Sequence, residues 1–239
     1  MSVLVLVRHG QASFLEEDYD KLSTIGQTQS RQLGEYWARR GVRFDRVISG
    51  PRVRQKHTAE LVGEGFREAG LPWPDAEIVP EFDEFQFGGI LESFLPQLME
   101  TNTHVRELMA DYENAESMPD KKKKFQKAFE AIVDLWISGQ LKSSDVESWP
   151  AFVNRVRKGI HDIVSTNGSG SRIAVFTSGG PTAVSMKVAL NLADQDSIQL
   201  AWQLRNGAIT EFLYSGNRFT LSSFNNVSHL DDPELWTYR

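Results

Sequence analysis

The sequence predicts a three-layer α/β/α fold, a mostly parallel sheet with helices on both faces. Three observations carry that expectation. Val3–Val7 is an unbroken apolar, valine-rich run, as a strand buried on both faces requires. Ile173–Thr177 is a second strong strand. Around them, strand-like and helix-like stretches alternate, the pattern that crossover helices between parallel strands impose on a chain.

The elements follow in order. A turn-like stretch after Val7 leads into a helical pattern from about Thr24 to Arg40 that stops at Gly41. Arg46–Ser49 reads as a short strand. Pro51 then opens a helix to about Glu68, since proline suits the first helical turn. Glu77–Val79 fits a third strand. From Gly88 to about Glu147 the pattern changes to helix, acidic loop, lysine run and helix. That stretch reads as a helical cap, inserted at about 90–146 over the sheet of a single domain spanning 1–239. The next helix, Trp149–Val164, sets Phe152, Val156, Ile160 and Ile163 at helical spacing. A Gly/Ser turn at Asn167–Ser171 precedes the strong strand. Gly179-Gly180-Pro181 then turns the chain into a helix to about Leu192, with Pro181 at its first position. Ile209–Tyr214 and Arg218–Phe224 form an antiparallel pair around Ser215-Gly216-Asn217. No internal repeat is present.

Composition narrows the function. No apolar run approaches the roughly 20 residues of a membrane helix. The apolar start, Val3–Val7, is too short for a signal-peptide core and runs straight into Arg8 and His9, so nothing marks secretion. The chain has no cysteine, which removes disulfides, cysteine nucleophiles and thiolate metal sites together. That count fits a reducing compartment, and a cytoplasmic location is expected. A net charge of −6 argues against a nucleic-acid surface. The one basic block, Lys121–Lys124, reads as a solvated run. Oligomeric state leaves no signature.

Three places carry chemistry. Arg8-His9-Gly10 lies just past the carboxyl end of the first strand, where ligands bind in open α/β sheets. Arg54 lies in the first turns of the helix after the second strand. Thr177-Ser178-Gly179-Gly180-Pro181 again joins a strand end to a helix. If those strands are neighbours, two arginines, a histidine and a helix N-terminus converge on one crevice. Such a crevice suits phosphate. Guanidinium forks bind its oxygens in pairs, and a helix N-terminus adds free N–H groups and partial positive charge. Each piece alone has a bland reading as a loop or surface residue; their conjunction favours the functional one.

These residues resemble the histidine phosphatase superfamily, the phosphoglycerate mutase-like proteins. Val5-Leu6-Val7-Arg8-His9-Gly10 is similar to its signature, and Leu22–Gln29 to the segment opening its first helix. Ser49–Glu60 resembles the stretch supplying its second pocket arginine, here Arg54. Phe82-Asp83-Glu84 before Phe87-Gly88 resembles the segment with its acidic proton donor, here Glu84 rather than Asp83. Glu147-Ser148 ahead of Arg155-Val156, Asn206–Thr210, and Asn225 to His229-Leu230 also fit. The resemblance covers nearly the whole chain outside the cap. It implies a phosphomonoester hydrolase in which neutral His9 attacks phosphorus and water later hydrolyses the phosphohistidine. It implies that Arg8 and Arg54 hold the phosphoryl oxygens and that Glu84 protonates the leaving oxygen. A phosphate-binding set of Arg8, His9, Arg54, Ser178 and Gly179 follows, with a small phosphorylated substrate as partner.

One departure stands out. Where the family has a second catalytic histidine, this chain has Ser178. A hydroxyl supplies a neutral hydrogen bond but no positive charge, and losing one preorganised donor costs about 10²–10³ in rate. His57, three residues after Arg54, is a conceivable substitute. His104 and His161 read as surface or lightly packed, and His229 as bonded to backbone near the pocket. No histidine pair has metal-ligand spacing, so no cofactor and a metal-independent reaction are expected. Two alternatives remain. A phosphoglycerate mutase would share His9, but the Trp-Asn such mutases carry after the histidine motif is Phe14-Leu15 here. The other is a catalytically weakened phospholigand-binding protein.

Overall fold

The computed structural model describes residues 1–13 and 20–238. The chain divides into two compact units, Met1–Glu84 with Asn154–Arg239, and Phe85–Val153.

The first unit is built on a six-stranded sheet. Its strands are β1 (Ser2–Arg8), β2 (Arg46–Ser49), β3 (Ala76–Ile78), β4 (Arg172–Thr177), β5 (Ile209–Ser215) and β6 (Arg218–Asn226), in the order β3-β2-β4-β1-β5-β6. β3, β2, β4 and β1 run parallel, while β5 and β6 are antiparallel additions at the β1 side. The mixed, mostly parallel sheet predicted from the valine-rich runs is therefore present. Val5, Val7, Val47, Ala174 and Phe176 face Leu33, Trp37, Val62 and Phe66 in one buried cluster. Those partners come from α1 (Thr24–Arg39) and α2 (Val53–Glu68), which pack on each other. Strand side chains alternate between faces. Accordingly Leu4, Leu6, Ile48, Ile173 and Val175 point the other way, and all are buried. Helix α1 stops where its sequence says it should. Gly41 takes φ +65, and the N–H groups of Gly41 and Val42 turn back onto Ala38 and Trp37, closing the C-terminus.

The second unit holds α3 (Phe87–Thr101), α4 (Thr103–Glu113), α5 (Met118–Ile137) and the start of α6 (Trp149–Thr166). Its core is aromatic: Phe85, Trp136, Trp149 and Phe152 have ring centroids 5.3–6.4 Å apart in successive contacts. Phe94, Phe129 and Trp136 are buried.

The remaining helices, α7 (Gly179–Leu190) and α8 (Asp194–Gln203), belong to the first unit. Several details differ from the sequence expectation. Helix α2 begins after Arg52, because the Gln55 side chain reaches back to the Arg52 N–H, so Pro51 precedes the helix. Helix α7 begins at Gly179, with Ser178 as its cap residue, so Pro181 is the third helical position. The lysine run is not a link between helices. It lies inside α5, where Asp120 pairs with Lys124 and Lys121 stands over the Tyr112 ring. Helix α8 was not foreseen.

Candidate active site

Strand order brings the predicted residues together. β2, β4 and β1 are neighbours, so the residues leaving their carboxyl ends, Gly50, Ser178 and His9, stand side by side. Backbone bonds extend the sheet into this region: Gly50 N–H donates to Phe176, and His9 N–H to Thr177. The loop after His9 is fixed by two glycines in backbone contact. A Cβ on Gly10 would lie 2.3 Å from the Gly26 carbonyl oxygen, and one on Gly26 would lie 2.1 Å from that of Gln11. Only hydrogen at both positions permits this approach of the loop to the first turn of α1. The Gly10 N–H then donates to Thr58 Oγ1, which itself bonds the Arg54 carbonyl, tying the loop to α2.

His9 is 6% exposed. Its Nδ1 lies 2.7 Å from the Gly10 carbonyl oxygen, which can only accept, so the proton belongs on Nδ1. Nε2 is thereby left with its lone pair, and Arg54 Nε donates to it at 3.1 Å. Burial, then Arg54, then Arg8 hold the imidazole pKa well below its ordinary value, so the ring is neutral. A neutral imidazole with a fixed tautomer and a directed Nε2 lone pair is a competent nucleophile.

Arg54 is 5% exposed, and its Nη1 donates to Asp20 at 2.6 Å. Asp20 also accepts the Val53 N–H at 2.9 Å, anchoring the arginine to the start of its own helix. Sequence reasoning missed Asp20, since a turn acid beside Lys21 looks like any solvated carboxylate. Arg8 is half-buried and bonds the Leu204 carbonyl.

The two adjacent acids meet different partners. Asp83 is engaged by Arg52 at 2.6 Å. Glu84 instead accepts the Gly180 N–H at 3.2 Å, at the N-terminus of α7. That terminus presents Gly179 and Gly180 as its first two N–H groups, because Pro181 has none and Thr182 already bonds Ser178. The donors there are those two glycines, not Thr182 and Ala183 as a helix starting at Pro181 would require.

Ser178 has no accessible surface, and its Oγ accepts from Gln55 Nε2 at 2.9 Å. Gln55 also donates to the Phe82 carbonyl at 3.3 Å and accepts from Arg52. The Ser178–Gln55 bond ties the start of α7 to α2. Gln55 directly follows Arg54 in the chain, yet nothing local reveals that it meets a residue 123 positions away. His57 is half-buried on α2. His104 and His161 are exposed. His229 is buried but does not bond backbone; neither ring nitrogen has a partner. Phe14 and Leu15 lie outside the described residues. Among the described residues no group of three or more His, Asp or Glu side chains could hold a metal, and no helix is long and apolar enough to cross a membrane.

Comparison with known proteins agrees with the fold. No curated protein matches the chain by sequence. Among solved structures, a phosphoserine phosphatase of Entamoeba histolytica in complex with 3-phosphoglyceric acid is 17% identical. It aligns over 96% of this chain and all of its own, with a TM-score of 0.63. YhfR of Bacillus stearothermophilus is 14% identical over 97% of this chain and all of its own, with a TM-score of 0.68. A mycobacterial glucosyl-3-phosphoglycerate phosphatase with inorganic phosphate is 20% identical, covering 95% and 98%, with a TM-score of 0.60. At these identities the likeness is one of fold. The family model for branch 1 of the histidine phosphatases matches residues 4–139 and 95–227, nearly the whole chain. With that match, the Arg8-His9-Gly10 strand end acquires its family: the chain belongs to the histidine phosphatase superfamily.

Proposed function

We propose that the chain is a phosphatase that hydrolyses a small phosphomonoester through a phosphohistidine on His9. One observation carries the reading: buried His9 keeps its proton on Nδ1 and directs Nε2 toward Arg54. In the first step the Nε2 lone pair forms a bond to phosphorus and the ester P–O bond breaks. The leaving oxygen takes a proton from Glu84, which must enter the step protonated. In the second step water attacks phosphorus, Glu84 takes its proton, and the N–P bond breaks. Arg8, Arg54 and the N–H groups of Gly179 and Gly180 would stabilise the charge that spreads over the transferring group. Glu84 sits on that same helix terminus in the free protein, so substrate must share or displace its contact. Proximity of a phosphate would also favour its protonated form, because two adjacent negative charges resist coexistence.

Supporting this reading over a mutase is Phe14-Leu15 in place of Trp-Asn. Ser178 favours the second reading, a weakened phospholigand binder, because the resemblance implies a histidine at this position and a neutral, fully buried hydroxyl stands there. Turnover of p-nitrophenyl phosphate, with and without a strong chelator, separates the two. The expected result is activity that survives chelation and disappears in His9→Ala, with an acid-labile phosphoprotein trapped only in the wild type. Binding of phosphoesters with no turnover across a broad panel would overturn the enzyme reading. Activity restored by a divalent ion after chelation would overturn metal independence. Conversion of phosphoglycerates without release of phosphate would favour the mutase.

A further inference from the structure

The short segment leading into Glu84 is held by side chains from three other elements. Pro80–Phe82 forms a single 3₁₀ turn, which the Asp83 N–H closes by donating to the Pro80 carbonyl at 3.0 Å. One such turn has little stability of its own, and its last carbonyls find no partner within it. Thr177 Oγ1, at the end of β4, and Gln55 Nε2, on α2, donate to the Phe82 carbonyl at 2.9 and 3.3 Å. The neighbouring carbonyls go to Arg155 on α6. Its Nη1 lies 3.0, 3.1 and 3.2 Å from the carbonyl oxygens of Pro80, Glu81 and Asp83, sharing its N–H bonds among them.

Helix α6 is shaped to bring this arginine close. Gly159, four residues on and so on the same helix face, is where α6 touches the turn. A Cβ there would lie 2.7 Å from Glu81 Cβ and 3.2 Å from the Phe82 ring, which has no accessible surface. Lys158 adds an ion pair with Glu81. A guanidinium suits the place, because carbonyls gathered at the end of a turn present partial negative charge and a charge-assisted bond is about twice as strong as a neutral one. Glu84 directly follows Asp83, and its carboxylate accepts the Gly180 N–H at 3.2 Å. Since the peptide unit is planar, fixing the Asp83 carbonyl fixes the direction in which the chain enters Glu84. We infer that Arg155 is a positioning residue for the acid: by holding the Pro80, Glu81 and Asp83 carbonyls it keeps the Glu84 carboxyl at the start of α7, where it meets the leaving oxygen. Arg155 acts through Glu84 and not on the phosphoryl group. This rests on the function proposed above, in which Glu84 protonates that oxygen.

The test compares two esters that differ in their need for an acid. Phenolate, whose conjugate acid has a pKa of about 10, leaves poorly without a proton, whereas 2,4-dinitrophenolate leaves without one. kcat/KM covers binding and phosphoryl transfer to His9; it is measured for phenyl phosphate and for 2,4-dinitrophenyl phosphate, and their ratio is the readout. Partial unfolding of a variant lowers both values alike and leaves the ratio unmoved, so a merely structural role is silent. Arg155→Gln should lower the ratio about tenfold or more, since misplacing a reacting group by about 1 Å costs up to 10²-fold. Arg155→Lys keeps the cation but not the fork and should lower it about threefold; it carries the test where the glutamine variant does not fold. Glu84→Gln should lower the ratio at least as far as Arg155→Gln, and adding Arg155→Gln to it should bring no further loss. An unchanged ratio in the Arg155 variants, beside a lowered one in Glu84→Gln, would overturn the role of Arg155 alone. A further loss in the double variant would do the same. An unchanged ratio in Glu84→Gln, or a wild type inert toward both esters, would overturn the proposed function and this inference with it.

Discussion

Replacing Ser178 by alanine tests whether the residue that caps α7 is a catalytic donor or a brace. Its Oγ is fully buried and accepts one hydrogen bond, from Gln55 Nε2 at 2.9 Å. Deleting it leaves that amide its other acceptor, the Phe82 carbonyl at 3.3 Å, and leaves Gln55 Oε1 on the Arg52 N–H. The loss is therefore that of one net hydrogen bond with partial compensation, about 0.5–1.5 kcal/mol. For a chain of this size that lowers Tm by roughly 2–4 °C per kcal/mol. The Gly179 and Gly180 N–H groups stay in place, because Ser178 caps α7 without a side-chain bond to its backbone. Accordingly kcat/KM on p-nitrophenyl phosphate should stay within about threefold of wild type, a change of about 0.6 kcal/mol. A phosphate-facing donor would behave differently, costing about 10²–10³ in kcat, or about 2.7–4 kcal/mol. Thermal melting and steady-state kinetics on one preparation separate the cases. A hundredfold loss of kcat with an unchanged Tm would refute the bracing role.

Other expectations follow from neighbouring contacts. Asp20→Asn removes one of two acceptors that hold Arg54 and Val53, so kcat should fall about tenfold, as for the loss of a charge-assisted bond; inhibition by inorganic phosphate should change less, and an unaltered kcat would dismiss Asp20 as a positioning residue. Gly26→Ala drives a Cβ into the Gln11 backbone and should destabilise by about 3 kcal/mol or more in urea unfolding. By contrast Gly88→Ala, which meets nothing within 4 Å in the first turn of α3, should stabilise by about 0.4–1 kcal/mol. Stability should also fall with acid. Folded His229, with its pKa lowered to about 4, binds fewer protons than the unfolded chain between its ordinary value near 6.5 and 4. The native state therefore loses up to about 3 kcal/mol relative to the unfolded state as pH drops through that window. His229→Gln should flatten this slope, and an unchanged slope would show that the ring is not desolvated.

Much of the architecture was legible because it rests on local periodicity. Val3–Val7 and Ile173–Thr177 are apolar at every position because both faces of a central parallel strand are covered, and that pattern needs no knowledge of the partners. Gly41 ended α1 as read, since a left-handed residue after a helix is a property of the chain itself. Helix α8 escaped notice because it buries only Ser197, Ile198 and Ala201, too narrow an apolar stripe to mark a period. The lysine run was misplaced because charges on the solvated face of a helix resemble those of a loop. His9, Arg54 and Glu84 could be named from sequence, but not their arrangement. That arrangement depends on β2, β4 and β1 being neighbours, which places residues far apart in the chain at the carboxyl ends of adjacent strands. Only there does Arg54 reach His9, 45 positions away, and Gln55 reach Ser178. The tautomer of His9, the depression of its pKa and the anchoring of Arg54 by Asp20 are long-range consequences of that strand order. Tertiary structure alone decides them, because burial and distance, not residue identity, set which proton an imidazole keeps.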